Sequence, residues 1–540
     1  MHRNRTWLVD ATETVLRTQR NRILPIEGGD GSTLTLDFTT GVLDPRLTFT
    51  RASGGTYVGN NGYIYGMDFA TSISLAIGTG SKTVTLTAPL GVDRRYLVGQ
   101  TVYFSNGANN MSGPVTAYSA STQSITINAT ASSGSGSFTS WTVGNASARF
   151  DHDPTTKAPR GLLIEAAATN LSRSSQNLTD NNWTQQFSYS ATSATGGIAP
   201  NGTITGNLFT EPSSNQQRSI YQSYSSAAGT YTGSLWIKQG SGDIRYIRLV
   251  VSSGSSDFGY VTVNANTGLI QQPAATVGTA TNASATVTPY LSGWTRVTLT
   301  VTLASPLNFF FSVPMNLASI DTPTTNYGRV SYLGDGSTFL LWGAQVESGS
   351  VASSYIPTGA SQGSRVVDEC SMTGTNFSSW FTNSAEGSFY AKYSMNNPAA
   401  FFGINNNVDR YAFEISNSNG ASRVFTNASY RVTTANAAGN AGRNPRVFDL
   451  NGTIDLHPSL VATAAQNTAL AWGYKTDNNY LAAVGVTATD PNGTLPTGLD
   501  RIHIGASRTF GSTTFLNGCI TQLKYWPTRL SNAQLEALIT

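Results

Sequence analysis

Asp151-His152-Asp153 is the one cluster in this chain where residue types and spacing suggest metal or acid–base chemistry. Two carboxylates flanking an imidazole would hold a cation if all three converged, but neighbours on a strand point to opposite faces. Pro154 follows, so the alternative is a turn with Asx-type hydrogen bonds and a salt link to Arg149 or Arg160. The spacing specifies too little for a cation site, and no metal site is assigned. The other histidines, His2, His457 and His503, are scattered, so a triad would need assembly across distant segments. There is no H-E-x-x-H, C-x-x-C, phosphate loop or G-x-S-x-G elbow. No cofactor is expected.

Glycoside hydrolysis needs two carboxylates straddling a bond. Glu414 in Tyr411-Ala412-Phe413-Glu414-Ile415 has no acidic neighbour two positions away. Asp368-Glu369 are adjacent, hence on opposite faces if extended. The expectation is a protein that is not an enzyme, with no catalytic residues.

Sugar rings stack on aromatic faces, with polar side chains selecting the epimer. Trp236, Trp294 and Trp342 lie on strand-like runs, where most tryptophans are core, and Trp236 and Trp342 have apolar neighbours. Tyr221, Tyr224 and Tyr246 alternate with Gln222, Arg245 and Arg248, a pattern expected to face outwards. Tyr221, Tyr224, Tyr246, Arg245 and Arg248 are therefore the candidate glycan-binding residues, with edge packing or a subunit contact as the alternative.

The elements that must position them are strands. The chain has 540 residues, only 11% of them charged and 10% aromatic, so it is neither disordered nor a single core. A net charge of +3 without a basic block leaves no footprint for nucleic acid. No apolar run reaches the ~20 residues of a membrane span, and no secretory leader is expected after Met1-His2-Arg3. Cys370 and Cys519 do not make a disulfide framework.

The predicted architecture is all-β and multidomain, with short helices at both ends. Residues 1–32 form an anchor segment whose helix, Trp7 to Arg20, presents Leu8, Ala11 and Val15. Trp7, Leu8 and Val15 are the candidate anchoring residues, for docking into an assembly or for packing on the same subunit. Residues 33–68 plus 148–169 form a β-rich base, interrupted at 69–147 by a small β module of period-2 strands such as Lys82-Thr83-Val84-Thr85-Leu86. Residues 170–360 form one long β domain, and 361–540 a second with a terminal helix capped by Ser531-Asn532-Ala533-Gln534.

Two phrases bracket the middle: Arg149-Phe150-Asp151-His152-Asp153-Pro154 with Arg160-Gly161-Leu162-Leu163-Ile164-Glu165, and Gly343-Ala344-Gln345-Val346-Glu347 with Ser354-Tyr355-Ile356-Pro357-Thr358. With Leu47-Thr48-Phe49-Thr50-Arg51-Ala52-Ser53 they resemble the seams between modules of tail-associated and structural proteins of tailed bacteriophages. Gly293-Trp294-Thr295-Arg296 and its neighbours resemble the jelly roll of carbohydrate-binding modules, and Leu516-Asn517-Gly518 a concanavalin-like, laminin-G-like sandwich. That second likeness places Cys519 in the neighbourhood of Cys370. The resemblance implies a virion protein, assembled in a host cytoplasm, most simply a tail fibre or tail appendage that contacts host-surface glycan. It also implies a homotrimer bound to other virion proteins, without nucleic acid or membrane insertion. The alternatives it leaves are a head-decoration or neck/collar fibre role and, further off, a polysaccharide depolymerase.

Overall fold

The computed structural model describes residues 30–540 except 89, 187–188, 190, 396–409, 419–422, 428–445, 450–454, 457–466, 484–485, 492 and 508–513. The expected helix at 7–20, with Trp7, Leu8 and Val15, lies outside the described residues, as do His2 and His457. What is described is antiparallel β throughout, with two short α-helices, Thr375–Ser378 and Asn532–Ile539.

Alternation explains the strands. Along Thr295–Leu303, Val297, Leu299, Val301 and Leu303 enter a core while Arg296, Thr298, Thr300 and Thr302 face away. This is the period of two that a pleated strand imposes. Residues from Thr184 to Ser348 supply two six-stranded sheets that enclose this core, a jelly-roll sandwich. One sheet runs from Thr184–Gln186 to Ile270–Val277, the other from Ala191–Gly197 to Thr281–Pro289.

The small module is a closed barrel. Met67–Ala76, Gly80–Leu86, Ser124–Ala129, Asn109–Ser119, Thr101–Asn106 and Ser137–Asn145 pair in that order, and the last returns to the first. Closure leaves no free edge within the ring. Phe104, Met111, Ile127 and Trp141 fill it.

The base differs from its expectation as a unit of its own. Leu34–Asp37 and Pro159–Ile164 lie end to end along one edge of Gly518–Trp526, while Glu386–Met395 pairs with the other edge. Thr48–Thr50 pairs with Glu369–Thr373 in the facing sheet. These early strands bury Leu34, Leu36, Leu162 and Ile164 in the same core as Phe389, Trp472 and Tyr525. The physical reason is that no two short hairpins can bury an apolar face alone, whereas the terminal sandwich offers unpaired edges. The terminal sandwich is thus the host, and the barrel and the jelly roll are insertions into it.

The two cysteines are also placed differently from the resemblance. Cys370 faces the host core, whereas Cys519 lies on the other sheet, its sulfur 4.0 Å from Asp151. Both thiols are free. The terminal helix has the expected capping box, and Leu535 seats it on Tyr480 and Trp526.

Candidate functional site: the cleft between the two sandwiches

The expected glycan-binding residues do not form a surface. Arg245 is fully buried, its Nε 2.9 Å from Glu211 Oε2, and it also pairs with Asp335. Arg248 is buried too, spending its donors on Asp321, the Gly328 carbonyl (2.6 Å), Thr262 and Gln272. Tyr246 is 6% exposed. Tyr221 packs on Phe309 and Phe311, and the Tyr224 hydroxyl is 2.8 Å from Ser172 Oγ. Gln222 is buried against Arg173. For Tyr221, Tyr246 and Arg248 the cause is the segment between Met315 and Thr338, which folds back so that Tyr327, Val330 and Tyr332 cover their face with a second aromatic core, whereas Tyr224 packs on the sandwich core itself. The exposure expected for these residues is thereby corrected.

Trp236, Trp294 and Trp342 point out of the jelly-roll core yet are buried. Val58 and Ile64, from the hairpin Tyr57–Val58 and Ile64–Tyr65, close over them, together with Tyr355. Gly343 permits this packing: its φ is +70°, and a Cβ there would sit 2.6 Å from the Trp236 ring.

Asp151 and His152 end the strand Phe150–His152, and Asp153 opens the Asx-type turn expected as the alternative to a cation site. Asp153 Oδ1 accepts the Thr155 and Thr156 N–H groups at 3.0 and 2.8 Å. Asp151 accepts the Val58 N–H at 2.7 Å and pairs with Arg160 at 3.4 Å. Burial pushes the Asp151 carboxyl above its ordinary range, against the pull of Arg160 and the Val58 N–H.

Where this turn meets the jelly roll, the outer faces of the two sandwiches enclose a cleft of about 430 Å3, within the size range of small-ligand sites. The jelly-roll wall presents Tyr290, Arg296 and the threonines Thr286, Thr288 and Thr298. The host wall presents Arg160, Lys392, Ser394 and Thr521. Register accounts for both walls. Lys392 and Ser394 alternate with Ala391 and Tyr393, which enter the host core. Arg296 stands opposite Trp236 and stacks over its ring at 4.5 Å. Arg296 Nη2 donates to Ser234 Oγ and the Ser353 carbonyl, both at 3.0 Å, leaving Nε without a partner. Ser394 Oγ is also buried without a partner. Tyr290 is held edge-on by Trp236 at 5.6 Å, and burial pushes its hydroxyl up to about 12.

Sequence reading missed this cleft because its walls come from separate segments of the chain, around Arg160, Arg296 and Lys392, which only folding brings together. A signal did exist for Lys392: it is the lone charge in Phe389-Tyr390-Ala391-Lys392-Tyr393, an outward position in an otherwise apolar strand.

Below the cleft lies an ionic hub. Arg149 reaches Asp368 at 2.5 Å and Glu165 at 2.8 Å; Arg51 reaches Asp368 at 2.6 Å; Arg365 is 3.5 Å from Glu165. All five side chains are essentially inaccessible. Burial alone would raise the Asp368 and Glu165 carboxyls, but the surrounding guanidinium groups hold both below their ordinary range.

No protein-family model matches the chain, and neither does any curated protein. Among solved structures it is distantly similar to Trypanosoma rangeli sialidase. The complex with the inhibitor DANA superposes at a TM-score of 0.22 with 9% identity, covering 62% of this chain and 60% of that one. The complex with sialic acid gives 0.21 over the same shares. Another structure of that sialidase gives 0.19 with 9% identity over 92% and 99%. These values relate one all-β protein distantly to another and carry no argument about activity or ligand.

Proposed function

We propose that this chain is a virion component of a tailed bacteriophage, a tail fibre or tail-appendage protein that touches host-surface glycan and does no catalysis. The observation that supports glycan contact is the cleft, where a tyrosine ring, threonines and basic side chains from both sandwiches converge. The phage reading rests on the seam phrases, and with it come a homotrimer and neighbouring virion proteins.

A second reading, a purely structural head-decoration or neck/collar role, is favoured by the hub, which ties the modules together and suits a rigid spacer. Labelled antibodies on intact particles, combined with the full chain on a glycan array, separate the two. Tail labelling with sugar binding supports the first; head or neck labelling without binding supports the second. New reducing ends after incubation with host polysaccharide would overturn the non-catalytic reading. Mass measurement in solution tests the trimer, and a stable monomer at micromolar concentration would defeat it.

A further inference from the structure

We infer that the cleft between the two sandwiches takes an acidic saccharide, a sugar ring carrying an anionic substituent, rather than a neutral one; this rests on reading the cleft as a glycan site. Charge is scarce in this chain, 11% of residues, yet three cations from three distant strands converge here: Arg160, Arg296 and Lys392. The carboxylates that face them are already engaged. Asp151 pairs with Arg160 and takes the Val58 N–H, and Asp153 keeps its charge but has its oxygen held by its own turn, so the cleft lining sets three cations against two carboxylates. Glu347, behind Arg296, is committed to Ser353 and Gln345.

Arg296 and Lys392 have no ion-pair partner among the described residues, and of the Arg296 guanidinium only Nη2 is hydrogen-bonded to the protein, while Nε is sealed against solvent. A guanidinium held flat on Trp236 with donors to spare is suited to a planar or tetrahedral anion. Lys392 is exposed at the rim of the opposite wall, a point charge across from that fork. Between them, Tyr290 supplies a ring and Thr288 a hydroxyl for the sugar itself, while the Thr286 and Thr298 hydroxyls bond each other at 2.6 Å. Carboxylate and phosphate substituents share this chemistry.

The test is an array of matched saccharides: uronate oligomers, their carboxyl-reduced neutral counterparts, and the same neutral sugars bearing phosphate. It is read with the full-length chain and with Lys392→Glu and Tyr290→Ala. Lys392 is exposed and outside both cores, so its variant keeps the fold. Binding at least roughly tenfold tighter to acidic than to neutral members, about 1.4 kcal/mol, supports the inference if Lys392→Glu loses it and salt weakens it. The uronate and phosphate arms tell which anion is preferred. Equal binding of acidic and neutral members, lost in Tyr290→Ala but not in Lys392→Glu, overturns the acidic preference and leaves the glycan site standing. Binding that neither variant changes, or none at all, overturns both.

Discussion

Glu165 and Ser354 are 189 positions apart in the chain and joined by two hydrogen bonds: Glu165 Oε1 accepts the Ser354 N–H and Oε2 the Ser354 hydroxyl, each at 2.7 Å. One residue ends the last host strand before the jelly roll, and the other sits in the segment that leaves it. Arg149 Nη1 adds a hydrogen bond to the same hydroxyl at 2.8 Å and to the Thr56 carbonyl at 2.7 Å. Arg51 extends the network to the Asn145 carbonyl, where the barrel ends, at 2.6 Å. The entry and exit points of both insertions therefore meet at one buried cluster.

Removing one member of that cluster leaves the rest unpaired in a place without water. Asp368→Asn strands the positive charge of Arg51, Arg149 and Arg365 against Glu165 alone. The expected loss is about 3–5 kcal/mol, the usual cost of breaking a buried pair. By contrast, Lys475→Ala breaks a pair whose partners are 55% and 30% exposed, and less than ~1 kcal/mol is expected. Urea unfolding of both variants checks the ranking, and equal losses would contradict the role given to the hub.

The same groups set the response to pH, with opposite signs. Asp368 and Glu165 have lowered pKa values, so their stabilisation is complete above the unfolded-state values near ~4 and is lost as pH falls through the folded-state values. Asp151 is raised, so its contribution is complete below its unfolded value and is lost as pH rises through the folded one. Melting temperature should fall steeply on the acid side in the wild type. Asp151→Asn should flatten the decline on the rising side while leaving the acid limb in place. An unchanged profile in that variant would contradict the assignment.

Two seam glycines carry a steric requirement that melting can read. Gly161 has φ +106°, and a Cβ there would lie 2.1 Å from the Ile520 carbonyl oxygen; Gly343 would press on Trp236. Alanine at either position strains the backbone and forces packed atoms apart, at a cost of about 1–3 kcal/mol or more. Gly41, with φ +70° and nothing near its Cβ position, isolates the backbone part alone, and its alanine variant should lose less. Melting of the three variants checks the order.

Much of the fold was legible because strand periodicity is local. Period-2 runs marked the barrel strands and the Trp294 strand, and the Ser531 capping box marked the last helix. What was not legible was pairing between distant segments. Nothing local in Leu34-Thr35-Leu36-Asp37 says that its partner is Gln522 to Tyr525. The site failed for a related reason. Tyr221, Tyr246 and Arg248 lie on the outer face of their strands, but the fold-back of the segment before Thr338 buries that face, and Tyr224 turns into the sandwich core instead. The cleft, in turn, exists only because an inserted sandwich lies against its host.

That nesting makes a sharp prediction about shortened chains. A chain starting at residue 361 lacks Leu34, Leu36, Phe38, Leu162 and Ile164, all buried in the host core. At ~1.5–3 kcal/mol per fully buried apolar side chain, the deficit is roughly ten kcal/mol, comparable with the whole stability of a typical domain. It also leaves one edge of Gly518–Trp526 unpaired, a template for aggregation. Removing residues 67–144, which keeps Asn145 and the hydrogen bond from Arg51 to its carbonyl, is a different operation. The Asn145 N–H lies 2.6 Å from the Gly66 carbonyl, so a link of a few residues closes the gap without disturbing either host sheet. The barrel-less chain gives up the Arg94 contact to the Asn201 carbonyl but keeps both sandwich cores. Circular dichroism and a cooperative melt are expected for the barrel-less chain, and aggregation or molten behaviour for the C-terminal fragment. A well-folded, monodisperse fragment from residue 361 would show that the early strands are dispensable and that the sandwich is not the host.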